Sequence, residues 1–204
     1  LREYNVKFIF QMTLTKHNYT EMIDIAQLAK DAGARYVKFG LIRPSGRALD
    51  NSFLSELTTQ DLSNIDEYVS KMQDIDIPKV YSHDFPHFNN VQKGNDKIRL
   101  RGLTFGCSAG RTAISIRPTG IITPCIFFPP CMDAGNVRDG VMKCIEESEV
   151  FTSIRNYKAN PTCSACPDLE NCSGGCRARA YMATSKLNGV DPFCKKHSVK
   201  NVNR

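Results

Sequence analysis

No run in this 204-residue chain approaches the ~20 consecutive apolar residues of a membrane span, and no apolar signal segment opens it. Both absences point away from the membrane and from export. Nine cysteines without an export signal imply a reducing compartment, and therefore the cytoplasm. The odd count, in a chain long enough to bury its own core, argues against a disulfide framework. The second paired Cys-x2-Cys knuckle of a zinc ribbon is also missing. The charge excess is a mild +6, with 24% charged and 41% hydrophobic residues, an ordinary composition that argues only weakly for an anionic partner and suggests no nucleic-acid role.

What the chain does have is sulfur. Cys163-Ser-Ala-Cys166-Pro-Asp-Leu-Glu-Asn-Cys172-Ser-Gly-Gly-Cys176 places four thiols in fourteen residues, with Cys107 and Cys125 upstream and Cys194 downstream. A Cys-x2-Cys turn converges two thiolates on one point, and the short loop to Cys172 adds a third. This is a metal or cluster cradle. Structural zinc is the alternative, but seven thiols suit two iron–sulfur clusters better than one or two tetrahedral zincs. Two bound clusters, each about −2 with its four thiolates, would also offset much of the positive charge.

Ahead of the cysteines, Val6, Phe8, Phe10, Met12 and Leu14 alternate with polar residues as a strand does, with Ile9 expected to be buried on a second face. Asn18 and Glu21 read as a capping box opening a helix whose apolar stripe is Met22, Ile25, Leu28, Ala29 and Ala32, ended by Gly33. Tyr36 to Ile42 is a second strand, so the segment predicts a parallel βαβ unit. Thr58 to Gln73 predicts another helix with Leu62, Ile65, Val69 and Met72 on one face and a capping threonine ahead of it, followed by a strand at Lys79 to Tyr81. His83 and His87 are separated by Pro86, which breaks the helix a His-x3-His site needs, so both read as linker or rim residues. Lys97, Arg99 and Arg101 form an alternating basic ridge. In the cysteine-rich part, Ala113 to Ile116 and Ile121 to Pro124 predict a hairpin around Arg117-Pro118-Thr119-Gly120 that would hold Cys107 near Cys125. Lys143 to Tyr157 predicts a single helix anchored by Ile145, Val150, Phe151 and Ile154, and Asn188-Gly189 a turn returning Cys194.

Cys107-x12-Gly120-x4-Cys125, then Cys163-x2-Cys166-x5-Cys172-x3-Cys176, then Cys194 resembles in every interval the seven-cysteine signature of the SPASM domain, the auxiliary-cluster domain of many radical SAM enzymes. Cys107-Ser-Ala-Gly110, Gly135-Asn-Val-Arg-Asp139, Cys176-Arg-Ala-Arg-Ala-Tyr181 and Asp191-Pro-Phe-Cys194 are similar as well. The end of the first strand and the Leu41-Ile-Arg-Pro-Ser-Gly-Arg47 loop resemble the last strands of the family's partial barrel. The family's Cys-x3-Cys-x2-Cys loop occurs nowhere in this chain. The resemblance therefore implies an α/β fold, the C-terminal strands and helices of a partial (β/α)6 barrel in residues 1–82, a linker at 83–106, and a small α+β SPASM domain with a β-hairpin at 107–204. It implies the C-terminal part of a longer enzyme, inactive alone.

The same resemblance implies two 4Fe–4S clusters, one on Cys163, Cys166, Cys172 and Cys194 and another on Cys107, Cys125 and Cys176. Cys131 is the candidate fourth ligand of the second set, an open iron site is the other possibility, and Cys144 reads as a buried apolar residue. S-adenosylmethionine and a third cluster would belong to the full-length enzyme, with Gln11, Leu41 and Arg47 as candidate cofactor contacts. Sulfatase-maturing members carry an aspartate after the second cysteine. Ile126 stands there, which argues against that chemistry. The wording is nearest to members that modify haem precursors, whose carboxylates Arg43, Arg47, Arg99 and Arg101 could pair with; peptide-maturing members share much of it. A ferredoxin or flavodoxin would be the electron donor. A zinc-stabilised binding module without redox role is the alternative of a different class.

Overall fold

The computed structural model describes residues 1, 3–51, 57–72, 76, 78–81, 107–167, 169–194 and 196. His83, His87, Lys97, Arg99 and Arg101 lie outside them. The chain divides into two compact units, Leu1–Arg43 with Arg47–Arg101, and Pro44–Gly46 with Gly102–Arg204.

The first unit is a parallel sheet of β1 (Phe10–Leu14), β2 (Tyr36–Leu41) and β3 (Lys79–Tyr81) in that order, with Leu14 level with Leu41 and Val37 with Val80. Side chains alternate across a strand, and in β2 the alternation is complete: Val37, Phe39 and Leu41 are buried, Tyr36, Lys38 and Gly40 are not. Their buried face joins Leu14 in a core completed by Met22, Ala26 and Ala29 of α1 (Met22–Asp31) and by Leu62, Ile65, Val69 and Met72 of α3 (Thr59–Met72). Between β2 and α3 the described residues include the one-turn helix α2 (Arg47–Asp50).

Three sequence expectations fail here. Strand β1 begins at Phe10 rather than Val6, and Ile9 is 39% exposed because it precedes the ladder. Leu28 is exposed, since the small residues Ala26 and Ala29 let α1 lie close to the sheet and turn Leu28 outward. Asn18 is no helix cap: its side chain accepts from the Thr15 N–H at 2.8 Å and donates to the Thr13 carbonyl at 3.0 Å, folding the strand end over, and α1 starts through a 3-10 turn at Tyr19–Glu21. The expected cap on α3 is present. Thr58 Oγ1 accepts from the Asp61 N–H at 3.1 Å while Asp61 accepts from the Thr58 N–H at 2.8 Å.

The second unit has short elements. Strands β4 (Ser115–Ile116) and β5 (Ile122–Thr123) form the hairpin, shorter than the sequence suggests. The expected single helix is two, α4 (Val141–Glu147) and α5 (Glu149–Asn156), because Ser148 adopts an extended ψ of 127° and caps α5 by accepting from the Val150 N–H. Then come α6 (Pro161–Ser164), α7 (Leu169–Cys172) and α8 (Arg177–Thr184). One core holds Ile122, Cys144 and Phe151; the other holds Ala109, Phe128, Met132, Ile154 and Ala178. Cys144 is buried as expected, within α4, its thiol donating to the Asn136 carbonyl at 3.4 Å.

Candidate metal centre

Each cysteine loop is fixed by its neighbours in sequence. Cys107 enters a tight loop in which the Arg111, Thr112 and Ala113 N–H groups all donate to the Ser108 carbonyl. Gly110, at φ +66°, lets this loop approach Ile154 and Phe151, and Arg155 Nε donates to the Gly110 carbonyl at 3.0 Å. The hairpin delivers Cys125, whose carbonyl accepts from the Phe128 N–H. Cys107, Cys125 and Cys176 all pack against the apolar cluster of Ala109, Phe128, Met132, Ile154 and Ala178. Cys131 is exposed, with its sulfur 3.6 Å from the Tyr181 hydroxyl. Ile126, next to Cys125, is 61% exposed.

The Cys163-x2-Cys166 segment forms the expected turn, with the Cys166 N–H donating to the Cys163 carbonyl. Asn160 caps it from below, accepting from the Cys163 N–H at 3.0 Å while its amide reaches the Cys163 sulfur at 3.5 Å and the Asn188 carbonyl at 2.7 Å. Burial pushes the Cys172 thiol pKa up, the Gly174 N–H opposes that, and charge on Cys194, Asp191 and Cys163 raises it further. All nine cysteines are free of disulfides. Among the described residues, no three Cys, His, Asp or Glu side chains are closed into a metal-binding set as they stand. An all-sulfur donor set of this kind suits an iron–sulfur cluster.

The residue that sequence reasoning undervalued is Asp191. It is 3% exposed, and its carboxylate takes two bonds from Arg179, at 2.9 and 2.8 Å, in a fork. It also accepts from the Cys176 N–H at 2.6 Å and the Phe193 N–H at 3.0 Å, while its carbonyl accepts from the Cys194 N–H. One carboxylate thus sets the positions of two cysteine loops. Burial alone would raise its pKa; the Arg179 charge and these donors hold it below the usual carboxylate value. Gly175, at φ +79°, is required beside it, because a Cβ there would stand 2.5 Å from Asp191 Oδ2. The available signal was the spacing of an acidic residue between two ligand-bearing turns, next to a buried-helix arginine.

The candidate contacts of the first unit are not gathered. Gln11 is exposed and pairs in register with Lys38, on the sheet face opposite the buried Leu41 side chain. Arg47 is exposed at the start of α2, and Arg43 Nη1 donates to the Leu41 carbonyl at 3.3 Å. Gln11 and Lys38 share the face left uncovered by α1 and α3.

A family model described as the SPASM iron–sulfur cluster-binding domain matches residues 107–167. Proteins called AdoMet-dependent heme synthase are similar over 95% of this chain: one from Methanosarcina barkeri at 27% identity, covering 57% of its own length, and one from Nitratidesulfovibrio vulgaris at 26%, covering 55%. Residues 107–167 are thus similar to SPASM iron–sulfur cluster-binding domains, and nearly the whole chain is similar to a part of those relatives. It spans about half the length of the curated relatives it matches. Among solved structures, anSMEcpe with bound AdoMet superposes with a TM-score of 0.63 at 16% identity over 95% of this chain and 51% of that one. Streptococcus suis SuiB bound to its precursor peptide SuiA gives 0.62 at 16%, over 93% and 44%. Such likeness fixes the α/β fold, and the SPASM match explains why the second unit is built from loops around thiols. Among the described residues no helix is long and apolar enough to cross a membrane.

Proposed function

We propose that the chain is the auxiliary-cluster part of a radical SAM oxidoreductase acting on a haem precursor. The reading is carried by the relatives named AdoMet-dependent heme synthase, whose similarity runs through both units and not through the cysteines alone. Cys163, Cys166, Cys172 and Cys194 would hold one 4Fe–4S cluster. Cys107, Cys125 and Cys176 would hold the second, with Cys131 as fourth ligand or an open site in its place. When bound, the clusters supply one-electron acceptance or relay; the chain's own residues position the ligands, Asp191 through the Cys176 and Cys194 loops and Asn160 at the Cys163 sulfur.

S-adenosylmethionine cleavage needs the Cys-x3-Cys-x2-Cys loop, which this chain lacks. The residues 1–82 would then be the last strands of the partial barrel, 83–106 a linker and 107–204 the SPASM domain. Gln11, on the uncovered sheet face, Leu41 through its backbone and Arg47 remain the contacts we assign to cofactor or substrate, and Lys38 joins them on the Gln11 face. The enzyme would work in the cytoplasm with a ferredoxin or flavodoxin as donor.

Anaerobic reconstitution with iron and sulfide tests the cluster reading: about eight irons per chain with matching sulfide are expected for two four-iron clusters. One or two zincs and no visible chromophore would instead establish a zinc-stabilised module. The 204-residue chain should form no 5′-deoxyadenosine; finding any would overturn its assignment as the auxiliary part. Substrate is decided by binding of a sirohaem-type tetrapyrrole to the full-length enzyme. The second reading, a peptide maturase, is favoured by the SuiB likeness, and absent tetrapyrrole binding with a small peptide gene adjacent would select it.

A further inference from the structure

Helix α8 buries two arginines two residues apart, and only one has a carboxylate partner among the described residues. Arg179 is paired with Asp191. Arg177 is 2% exposed, and its partners are the carbonyls of Leu187 at 2.8 Å, Gly189 at 3.0 Å and Gly175 at 3.4 Å, with the Tyr157 ring 5.1 Å from its centre. Among the described residues its Nη2 has no hydrogen-bond partner. A guanidinium stays charged at any ordinary pH. A buried charge without a counter-ion is strongly disfavoured, so a negative group belongs beside it.

The orphan nitrogen shows where that group lies. A Cβ on Gly174 would stand 3.2 Å from Nη2 and 3.2 Å from the Tyr157 hydroxyl, so both face the Ser173–Gly175 segment, three successive residues at positive φ. That segment is the only chain between Cys172 and Cys176. The Tyr157 hydroxyl donates to the Ser173 carbonyl at 2.5 Å. Arg177 directly follows Cys176 and faces the segment that joins it to Cys172, the junction between the two cysteine sets assigned above.

We propose that Arg177 is the fixed countercharge of the iron–sulfur clusters, held at that junction by three carbonyls and the Tyr157 ring, and that it raises their reduction potentials. Each one-electron reduction adds a negative charge to a cluster, and a nearby cation in a buried site favours the reduced form. The carbonyls aim the guanidinium without neutralising it. This rests on the cluster reading above, and adds to it a residue that is not a ligand.

The test is the 204-residue chain reconstituted with iron and sulfide, as wild type, Arg177→Met, which keeps bulk and removes charge, and Arg177→Lys, which keeps charge. Iron content is measured first, then midpoint potentials by titration followed by electron paramagnetic resonance. Arg177→Met should lower the equilibrium constant for reduction about tenfold, which is 59 mV to more negative potential for a one-electron couple, and Arg177→Lys should recover most of the shift. Should Arg177→Met fail to hold iron while Arg177→Lys holds it, the need for charge is shown directly. An Arg177→Met chain with full iron and unmoved potentials would overturn the proposal, leaving Arg177 a structural clasp. So would loss of iron in both variants, which would mean the fork of hydrogen bonds matters and the charge does not. Wild-type chain that takes zinc and no iron would instead overturn the cluster reading itself, and this proposal with it.

Discussion

The two units bury different things. In the first, the described core is wholly apolar, from Leu14, Val37, Phe39 and Leu41 on the sheet to Ile65 and Val69 on α3. The second buries Thr123, Arg177, Arg179 and Asp191, the buried polar and charged residues of the described chain. Its strands are two residues long and two of its helices a single turn. Hydrophobic burial scales with apolar area and needs no partner; buried ions need geometry and each other. The described core of the first unit is held by apolar contact, whereas that of the second depends on paired ions and, on the cluster reading proposed above, on what its thiols would bind.

Withholding iron should widen that difference most. Hydrogen exchange on the metal-free chain is expected to show β1, β2 and α3 still protected while the Cys163–Cys194 loops exchange freely, because binding free energy is folding free energy in such sites. Equal protection with and without iron would erase the distinction. Single residues come next. Phe39→Ala should cost the first unit about 3–5 kcal/mol, measured by denaturant, with iron content unchanged. Asp191→Ala should cost the second about as much, 3–5 kcal/mol, by stranding the Arg179 charge and the Cys176 N–H; it should also lower iron retention, which Phe39→Ala should not. Retention of iron equal to wild type would show that Asp191 does not position the loops.

Glycines carry the contrast to smaller effects. Gly175→Ala sets a Cβ against Asp191 at φ +79° and should cost roughly 3 kcal/mol or more of chain stability, strain and overpacking together. Gly46→Ala, in the Pro44–Gly46 stretch grouped with the same unit, at φ +55° with nothing within 4 Å, should cost only the backbone strain of roughly 1–2 kcal/mol. Comparable midpoints in denaturant for both would mean the Gly175 loop yields easily.

Period made the first unit legible. A buried parallel strand and a four-residue apolar stripe on α3 are written in spacing, so β2 and α3 stand where the sequence places them. Ile9 and Leu28 were misjudged because apolar character says what can be buried and not where the ladder starts or how closely a helix sits. In the second unit the thiols were legible by count and interval, and the fold around them was not. Ser148 splits a helix through one extended ψ, and Asp191 works across fifteen residues through Cys176. Such long-range polar contacts leave no periodic trace.

The smallest effect tests whether the first unit depends on local signals at all. Thr58→Ala removes the hydroxyl that caps α3 and should cost about 1 kcal/mol. Burial tends to raise the Asp61 carboxyl, but the Thr58 hydroxyl and N–H, the Tyr19 hydroxyl and the Lys16 charge together outweigh it, and the pKa lies below its ordinary 3.8. A depressed carboxyl stabilises the fold above its unfolded pKa, and that contribution disappears as pH falls through the lower folded value. Wild type and Thr58→Ala should therefore differ at pH 7 and converge as acid protonates Asp61, read from denaturant midpoints of the first unit. A difference that stayed constant down to pH 2 would show that Thr58 acts through its own N-cap bond to the Asp61 N–H and not through the carboxylate.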